Sequence, residues 1–556
     1  MEELHTRFWP AHRPRNIHVP ETSLWFNLAT SAARFPQKTS LIFYDTELRY
    51  ADVKSAAERL AGFLQHACGV RRGDRVALFL QNSPQFVIAY YAILRADAVV
   101  VPINPMNRAL ELAAIVEDAG ARVIVAAQDL YEHVEPLIGR VVQHVIVACY
   151  ADYLTAKTDL DVPDPLTAPR KVIRGSGIAL WRDALECGYQ PAAHLATADD
   201  LCVMPYTSGT TGQPKGCMHR HRSVMHTAVA TAMWSGLHHE DRGLCVLPMF
   251  HVTGMQHCMN IGMYLGSSGV IMSRWNRELA GKLIERYRCT RWTSVPTMVI
   301  DFLASPTTAG YDVSSLASIG GGGAAMPEAV ARASEARFGL KYLEGYGMTE
   351  TMAPTHANPE AHPKRQCLGI PIFNTESRII DPVTLADVPQ GEIGEIVVRG
   401  PQIFDGYWNQ PQATEEAFVT LDGKRYLRTG DLGRMDEEGY YFFVDRIKRM
   451  INASGFKVWP AEVESLLFAH PAVQEAVVIA AKDAKRGETV KALVVLKPAA
   501  RGRETPERII EWAKANMAAY KVPRVVELVE SLPKSSSGKV MWRALQEQED
   551  RASAHA

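Results

Sequence analysis

Short apolar runs that alternate with helical patterns fill most of this chain, and no other feature narrows its architecture so far. Residues 75–80 (Arg75-Val76-Ala77-Leu78-Phe79-Leu80) and 98–102 (Ala98-Val99-Val100-Val101-Pro102) are almost continuously apolar, as strands covered on both faces are. Residues 84–94 between them carry the pattern of a crossover helix, and 121–126 and 144–148 repeat the strand pattern. Such alternation predicts an α/β fold with layered parallel sheets. Residues 155–200 are richer in Pro and turn residues, and predict a surface connection with one short helix. A boundary falls near 445–455. Beyond it Pro460 suits the first position of a helix reaching 469, followed by strands at 476–480 and 490–496, a helix over 506–517 and a strand at 525–529. That is a compact α+β unit of roughly a hundred residues.

The 556 residues exceed one ordinary core, so two or more domains are expected. A formal net charge of −1 gives no bulk attraction for nucleic acid or an anionic membrane. The most apolar stretch, 86–101, is interrupted by Arg95 and Asp97, and the start Met1-Glu2-Glu3-Leu4-His5 lacks the pattern of a secretory signal. Nine cysteines without a CxxC pair argue against a disulfide framework. These features predict a reduced, cytoplasmic protein without an integral membrane segment.

The chemistry is concentrated in Tyr206-Thr207-Ser208-Gly209-Thr210-Thr211-Gly212-Gln213-Pro214-Lys215-Gly216, which follows the apolar residues 201–205. Two internal glycines let backbone N–H groups turn toward an anion, and four hydroxyls and Lys215 add donors, which is what a polyphosphate requires. A Gly/Ser/Thr loop is usually only a turn, but a lysine with so many small hydroxyl residues directly after a strand is not the usual case. Walker A chemistry is excluded: Pro214 stands before the lysine where Gly is needed, and Gly216 after it where Ser or Thr is needed. No G-x-S-x-G elbow supports a hydrolase. His219, His221, His238, His239 and His257 lack metal-ligand spacing and receive no role.

This loop resembles the signature of the adenylate-forming superfamily, in its acyl-CoA synthetase and fatty-acid–CoA ligase branch. Five further segments agree with that family, in its order: 248–252 (Pro248-Met249-Phe250-His251-Val252), 345–350 (Gly345-Tyr346-Gly347-Met348-Thr349-Glu350), 426–431, 445–448 and 533–539. The resemblance implies a large N-terminal domain of several subdomains (1–445), a hinge (446–452) and a small mobile C-terminal domain (453–556). It implies ATP, Mg²⁺ and coenzyme A as reactants and cofactor, with a small carboxylic acid as the other partner. Assembly as a homodimer is left open.

By the same resemblance, Ser208, Gly209, Thr210, Thr211, Gly212 and Lys215 hold phosphates, and Thr207 and Glu350 bind the metal. Thr349 contacts the α-phosphate, Gly345, Tyr346 and Gly347 are nucleotide contacts with the flat face of Tyr346 open to adenine, Asp431 accepts the ribose hydroxyls, and Arg446 is a further nucleotide contact. Lys539 is the adenylation lysine and His251 a mobile gate between acid site and thiol tunnel. Lys448 is the hinge and Gly455 lines the thiol tunnel; Asn452 stands where some relatives carry lysine. Val252, Thr253, Gly254 and Met255, with Gly321, Gly322, Gly323 and Ala324, are expected to line the acid pocket, where small residues leave room for a chain. The apolar wall points to a medium- or long-chain fatty acid. An aryl acid, or a carrier protein as acyl acceptor, stays as an alternative.

Overall fold

The computed structural model describes residues 4–207, 214–453, 456–483, 487–534 and 540–554, and two large sheets form its centre. In one, strands Arg75–Phe79, Val99–Pro102, Val123–Ala127, His144–Ala148 and Ile178–Leu180 run parallel. In the other, Thr39–Phe43, Ser268–Ile271, Arg242–Cys245, Arg291–Ser294, Ser318–Gly322 and Tyr342–Tyr346 run parallel, and antiparallel pairs occur at the two edges. Helix Pro84–Arg95 explains why its sequence is apolar all round: every residue from Pro84 to Leu94 is buried. Pro84 takes the first helical position, and the Ser83 hydroxyl caps it by accepting the Phe86 N–H at 3.2 Å. The Tyr90 and Tyr91 hydroxyls then reach Met255 and Asn260, on the layer that covers the second sheet.

The connection at 155–200 holds more structure than its composition predicts. Two short helices, Asp164–Thr167 and Trp181–Glu186, flank strand Ile178–Leu180, which extends the first sheet. Three residues are too few to show a period, so only pairing with Val145, Ile146 and Val147 reveals the strand. The connection is fastened at its far end. Ser23 and His194 share a hydrogen bond of 2.5 Å, and Asp97 meets the other ring nitrogen at 2.6 Å while accepting the N–H groups of Leu195 and Ala196. This is the order of an acyl-transfer triad, but Ser23 is wholly buried, and the cluster serves as a clamp.

An antiparallel sheet of Glu376–Ile380, Gly394–Arg399, Phe418–Leu421, Lys424–Met435 and Tyr441–Arg446 follows. The small C-terminal domain has a sheet of its own, with Ile451–Ala453, Phe456–Val458, Val473–Asp483, Gly487–Leu496 and Val525–Leu528, and its own core around Val463, Leu467, Val494 and Ile509. Its helices Pro460–Leu467 and Pro506–Asn516 both begin on proline, as their sequences predict. The two domains meet at a 3₁₀ turn, Ile447–Arg449. There the buried Asp445 accepts the Ala461 N–H at 2.6 Å, and Arg449 pairs with Glu464. Among the described residues no helix is long and apolar enough to cross a membrane.

The glycine run in strand Ser318–Gly322 is a packing requirement. A Cβ on Gly320 would lie 2.5 Å from the Leu343 carbonyl oxygen, and one on Gly322 would lie 2.4 Å from that of Gly345. Neither backbone atom can move without parting the paired strands. Gly320→Ala should therefore lower the unfolding free energy by about 1–3 kcal/mol in a urea titration.

Candidate active site

The carboxyl ends of parallel strands are where open α/β sheets leave a crevice, and here the ends of both large sheets face one cleft of about 3150 Å³. Asn82, just beyond Arg75–Phe79, ties the two ends together. Its buried amide donates to the Leu247 carbonyl at 2.9 Å and accepts the Met249 N–H at 2.8 Å. This pair of bonds fixes the Pro248–His251 turn. His251 ends the turn as the cap of helix Val252–Met255, its Nδ1 accepting the Thr253 N–H at 3.4 Å. The helix continues through a π-helical turn, Gln256–Asn260, into Ile261–Leu265.

Val252, Thr253 and Gly254 line the cleft; Met255, expected beside them, does not. It is fully buried, and its sulfur accepts the Tyr90 hydroxyl, because the face of the helix that carries Met255 packs on helix Pro84–Arg95. Met255 is therefore not part of the acid pocket. Gly321, Gly322, Gly323 and Ala324 do line the cleft. The Cβ direction at Gly322 meets the neighbouring strand, so a larger residue there would part the sheet before filling the pocket.

The phosphate loop is described at its stem. Thr207 and Lys215 face each other across a two-residue antiparallel pair; Ser208, Gly209, Thr210, Thr211 and Gly212 lie outside the described residues. Tyr206, at the base, donates to Asp118 at 2.6 Å. Beyond Lys215, segment 216–218 pairs with 405–408. Trp408 N–H donates to the Gly216 carbonyl at 2.8 Å, Met218 N–H to Gly406 at 3.0 Å and Asp405 N–H to Met218 at 2.9 Å. The neighbouring Tyr407 places its ring 4.9 Å from Lys215 Nζ and donates its hydroxyl to Glu350 Oε1 at 2.7 Å.

Thr349 and Glu350 form a 3₁₀ turn directly after strand Tyr342–Tyr346. The Thr349 carbonyl lies 2.8 Å from Nε2 of His219. Burial pushes that imidazole down to about 4, so it is neutral and donates from Nε2. Burial also pushes the Glu350 carboxyl above its ordinary range. A divalent cation beside it would offset that desolvation. The donor set suits Mg²⁺, which takes one or two carboxylates and completes its shell with phosphates and water. Among the described residues there is no cluster of three or more His, Cys, Asp or Glu to cage a metal by itself.

Tyr346 donates its hydroxyl to Asp431 Oδ2 at 2.6 Å, and Arg446 Nε meets Oδ1 at 3.0 Å. Asp431 and Arg446 sit opposite each other on antiparallel strands. Gly430, at φ +70°, supplies the left-handed turn that lets the strand bulge and aim Asp431 inward, and its N–H donates to the buried Glu395 at 3.1 Å. Each oxygen of Asp431 keeps a further lone pair for a ligand hydroxyl. Gly345, Tyr346, Gly347, Thr349, Asp431 and Arg446 all border the same cleft. Lys539 and Gly455 lie outside the described residues. Lys448 falls within the 3₁₀ turn between the domains.

Sequence reasoning missed Asn82, His219, Tyr407 and Glu344. Glu344 precedes the Gly345-Tyr346-Gly347 segment and lines the cleft. Its carboxylate accepts backbone N–H groups, among them those of Met326 at 2.8 Å and Cys367 at 3.3 Å, and burial pushes it up to about 7.

Residues 28–408 match the family described as AMP-binding enzyme, and residues 462–539 match its C-terminal domain. A long-chain-fatty-acid–CoA ligase of Bacillus subtilis (strain 168) is 37% identical, covering 97% of this chain and 97% of that protein. A feruloyl-CoA synthase of Amycolatopsis sp is 33% identical over 91% of this chain and 95% of that protein. The structure of an anthranilate CoA ligase in complex with anthranoyl-AMP superposes with a TM-score of 0.86 at 28% identity, over 96% of this chain and 99% of that one.

Glu344 gives the site a pH dependence with a definite sign. Its folded value of about 7 lies above the ordinary carboxylate value of 4.5, so the folded state holds the proton more tightly. Stability linked to this group is therefore present below pH 4.5 and is lost as pH rises toward 7. The unfolding free energy of Glu344→Gln relative to the parent should rise by roughly 3 kcal/mol between pH 4.5 and pH 8, read from urea titrations at each pH.

Proposed function

Because this chain belongs to the AMP-binding enzyme family, we propose that it is an ATP-dependent acyl-CoA ligase acting on medium- or long-chain fatty acids. The observation that carries this reading is the convergence in one cleft of Lys215, Glu350 and the Tyr346–Asp431–Arg446 network with an apolar cavity beside the His251 turn. In the first half-reaction a carboxylate oxygen of the acid attacks the α-phosphorus of ATP, and pyrophosphate leaves with the bonding pair. In the second, the thiol sulfur of coenzyme A attacks the acyl carbonyl carbon of the adenylate and AMP leaves.

Thr207 and Glu350 would hold Mg²⁺, which supplies charge neutralisation at the phosphates. Lys215 grips the departing phosphates while Asp431 and Arg446 anchor the ribose end. Lys539, carried by the C-terminal domain, supplies the cation at the α-phosphate. Residues 1–445 form the adenylating part, 446–452 the hinge with its pivot at Lys448, and 453–556 the moving domain, which brings Gly455 to the thiol path for the second step. His251 separates acid site from thiol path.

The cavity favours an alkyl chain, since its lining extends to Trp234 and Leu237 at the end of helix His221–Trp234, Cys258 in the π-helical turn, and Ile261 and Leu265 beyond it. A second reading, an aryl acid, draws on the feruloyl-CoA synthase relative and the anthranilate CoA ligase structure. Pyrophosphate release with and without coenzyme A, over acids of different length and several aryl acids, decides between them. If the alkyl reading holds, two further buried methylenes should raise kcat/KM by about fifteenfold until the cavity is full. A flat or falling aliphatic series with a peak on an aryl acid would replace it. Lys539→Ala should slow adenylation by about 100- to 1000-fold while sparing thioester formation from supplied acyl-adenylate; equal damage to both steps would remove Lys539 from its role.

A further inference from the structure

Tyr407 stands between the two groups assigned to phosphate and metal, and the reaction as described leaves it without a task. Its backbone is fixed from two sides. Cys217 and Tyr407 form an antiparallel bridge, and the flanking hydrogen bonds hold 405–408 against 216–218. Arg220 adds an ion pair to Asp405 at 2.6 Å. On the other side, Phe404 N–H donates to the Glu350 carbonyl at 2.9 Å, and the Phe404 ring packs against that of Tyr407 at 4.9 Å between centroids. The Tyr407 N–H is itself held by the Thr414 hydroxyl at 2.9 Å. The ring therefore has little freedom, and its hydroxyl is aimed at Oε1 of Glu350 at 2.7 Å.

A hydroxyl fixed at that distance takes one of the two lone pairs of Oε1 and sets the plane of the group. The two oxygens are then unequal: Oε1 is engaged by the protein and Oε2 is the better donor to a cation. Mg²⁺ accepts this arrangement, since it binds carboxylates through single oxygens at about 2.0–2.1 Å. A larger cation such as Ca²⁺, which also takes carboxylates through both oxygens at about 2.3–2.6 Å, has to share Oε1 with the hydroxyl here. We propose that Tyr407 is a positioning residue that biases Glu350 toward coordination through Oε2 alone, and so makes the nucleotide site select Mg²⁺ over larger divalent cations. The inference rests on the ligase reading and on Glu350 as the metal carboxylate.

The test is calorimetric binding of α,β-methylene-ATP, which does not turn over, to the full chain in Mg²⁺ and in Ca²⁺. Tyr407→Phe removes one oxygen and leaves the ring beneath Lys215. The ratio of affinities, Mg²⁺ over Ca²⁺, should fall by about tenfold in this variant, the scale of one hydrogen bond to a charged group. A ratio unchanged within a factor of two overturns the inference. Tyr407→Leu removes hydroxyl and ring together; it should lower the same ratio and in addition weaken the analogue equally in both cations, through the lost seat for Lys215. A Leu variant weakened equally in both cations with its ratio intact assigns Tyr407 to packing alone, and overturns the inference even if the Phe variant fails to fold. Parent protein that binds no analogue in either cation refutes the ligase reading instead, so the two failures are separable.

Discussion

Removing a carboxylate from water is expensive unless hydrogen bonds or a cation compensate it, and Glu350 is where this fold carries that expense at its centre. The acid is buried against Tyr407, and the backbone around it is held by Phe404 and, one residue earlier, by His219. None of these partners is near it in the chain. They reach it because segment 216–218, directly after Lys215, pairs with segment 405–408 on one side while the 3₁₀ turn of Thr349 and Glu350 closes on the other. The separation between Lys215 and Glu350 is therefore set by short hydrogen bonds at turning points of the chain, and the large sheets serve to bring those points together.

Much of this was legible in the sequence, and what was not has a physical reason. The continuous apolar runs at 75–80 and 98–102 and the helix between them appear where their patterns place them, because a strand or helix buried on all sides leaves an unbroken signal. The prolines that open Pro460–Leu467 and Pro506–Asn516 marked both helices. Strand Ile178–Leu180 was invisible because three residues carry no period.

Site residues divide in the same way. Lys215, Glu350 and Asp431 stand in motifs that can be read locally, and the structure places all three on one cleft. Tyr407, His219 and Asn82 act across separations of 57, 130 and 165 residues, and a lone polar residue gives no local sign of such a partner. Met255 was misplaced because membership of a segment says nothing about which side of a helix faces the cavity. Glu344 carries no local sign of its burial, since its partners are backbone N–H groups 18 and 23 residues away.

The π-helical turn Gln256–Asn260 has a bearing on how such a cleft changes over evolutionary time. It interrupts a helix that forms one wall, with Val252 and Gly254 before it and Ile261 and Leu265 after it. A π turn accommodates one more residue than an α turn, and each residue rotates a helix by about 100°. Losing a single codon here would restore a regular helix with both flanks facing as they do now, because the π turn already absorbs the extra residue, and would change only the bulge itself, whose Cys258 is on the cavity wall. Acid preference in this architecture is thus open to revision by insertion and deletion as well as by replacement. The phosphate end, anchored through Tyr407 and His219 on separate segments, would be left where it stands.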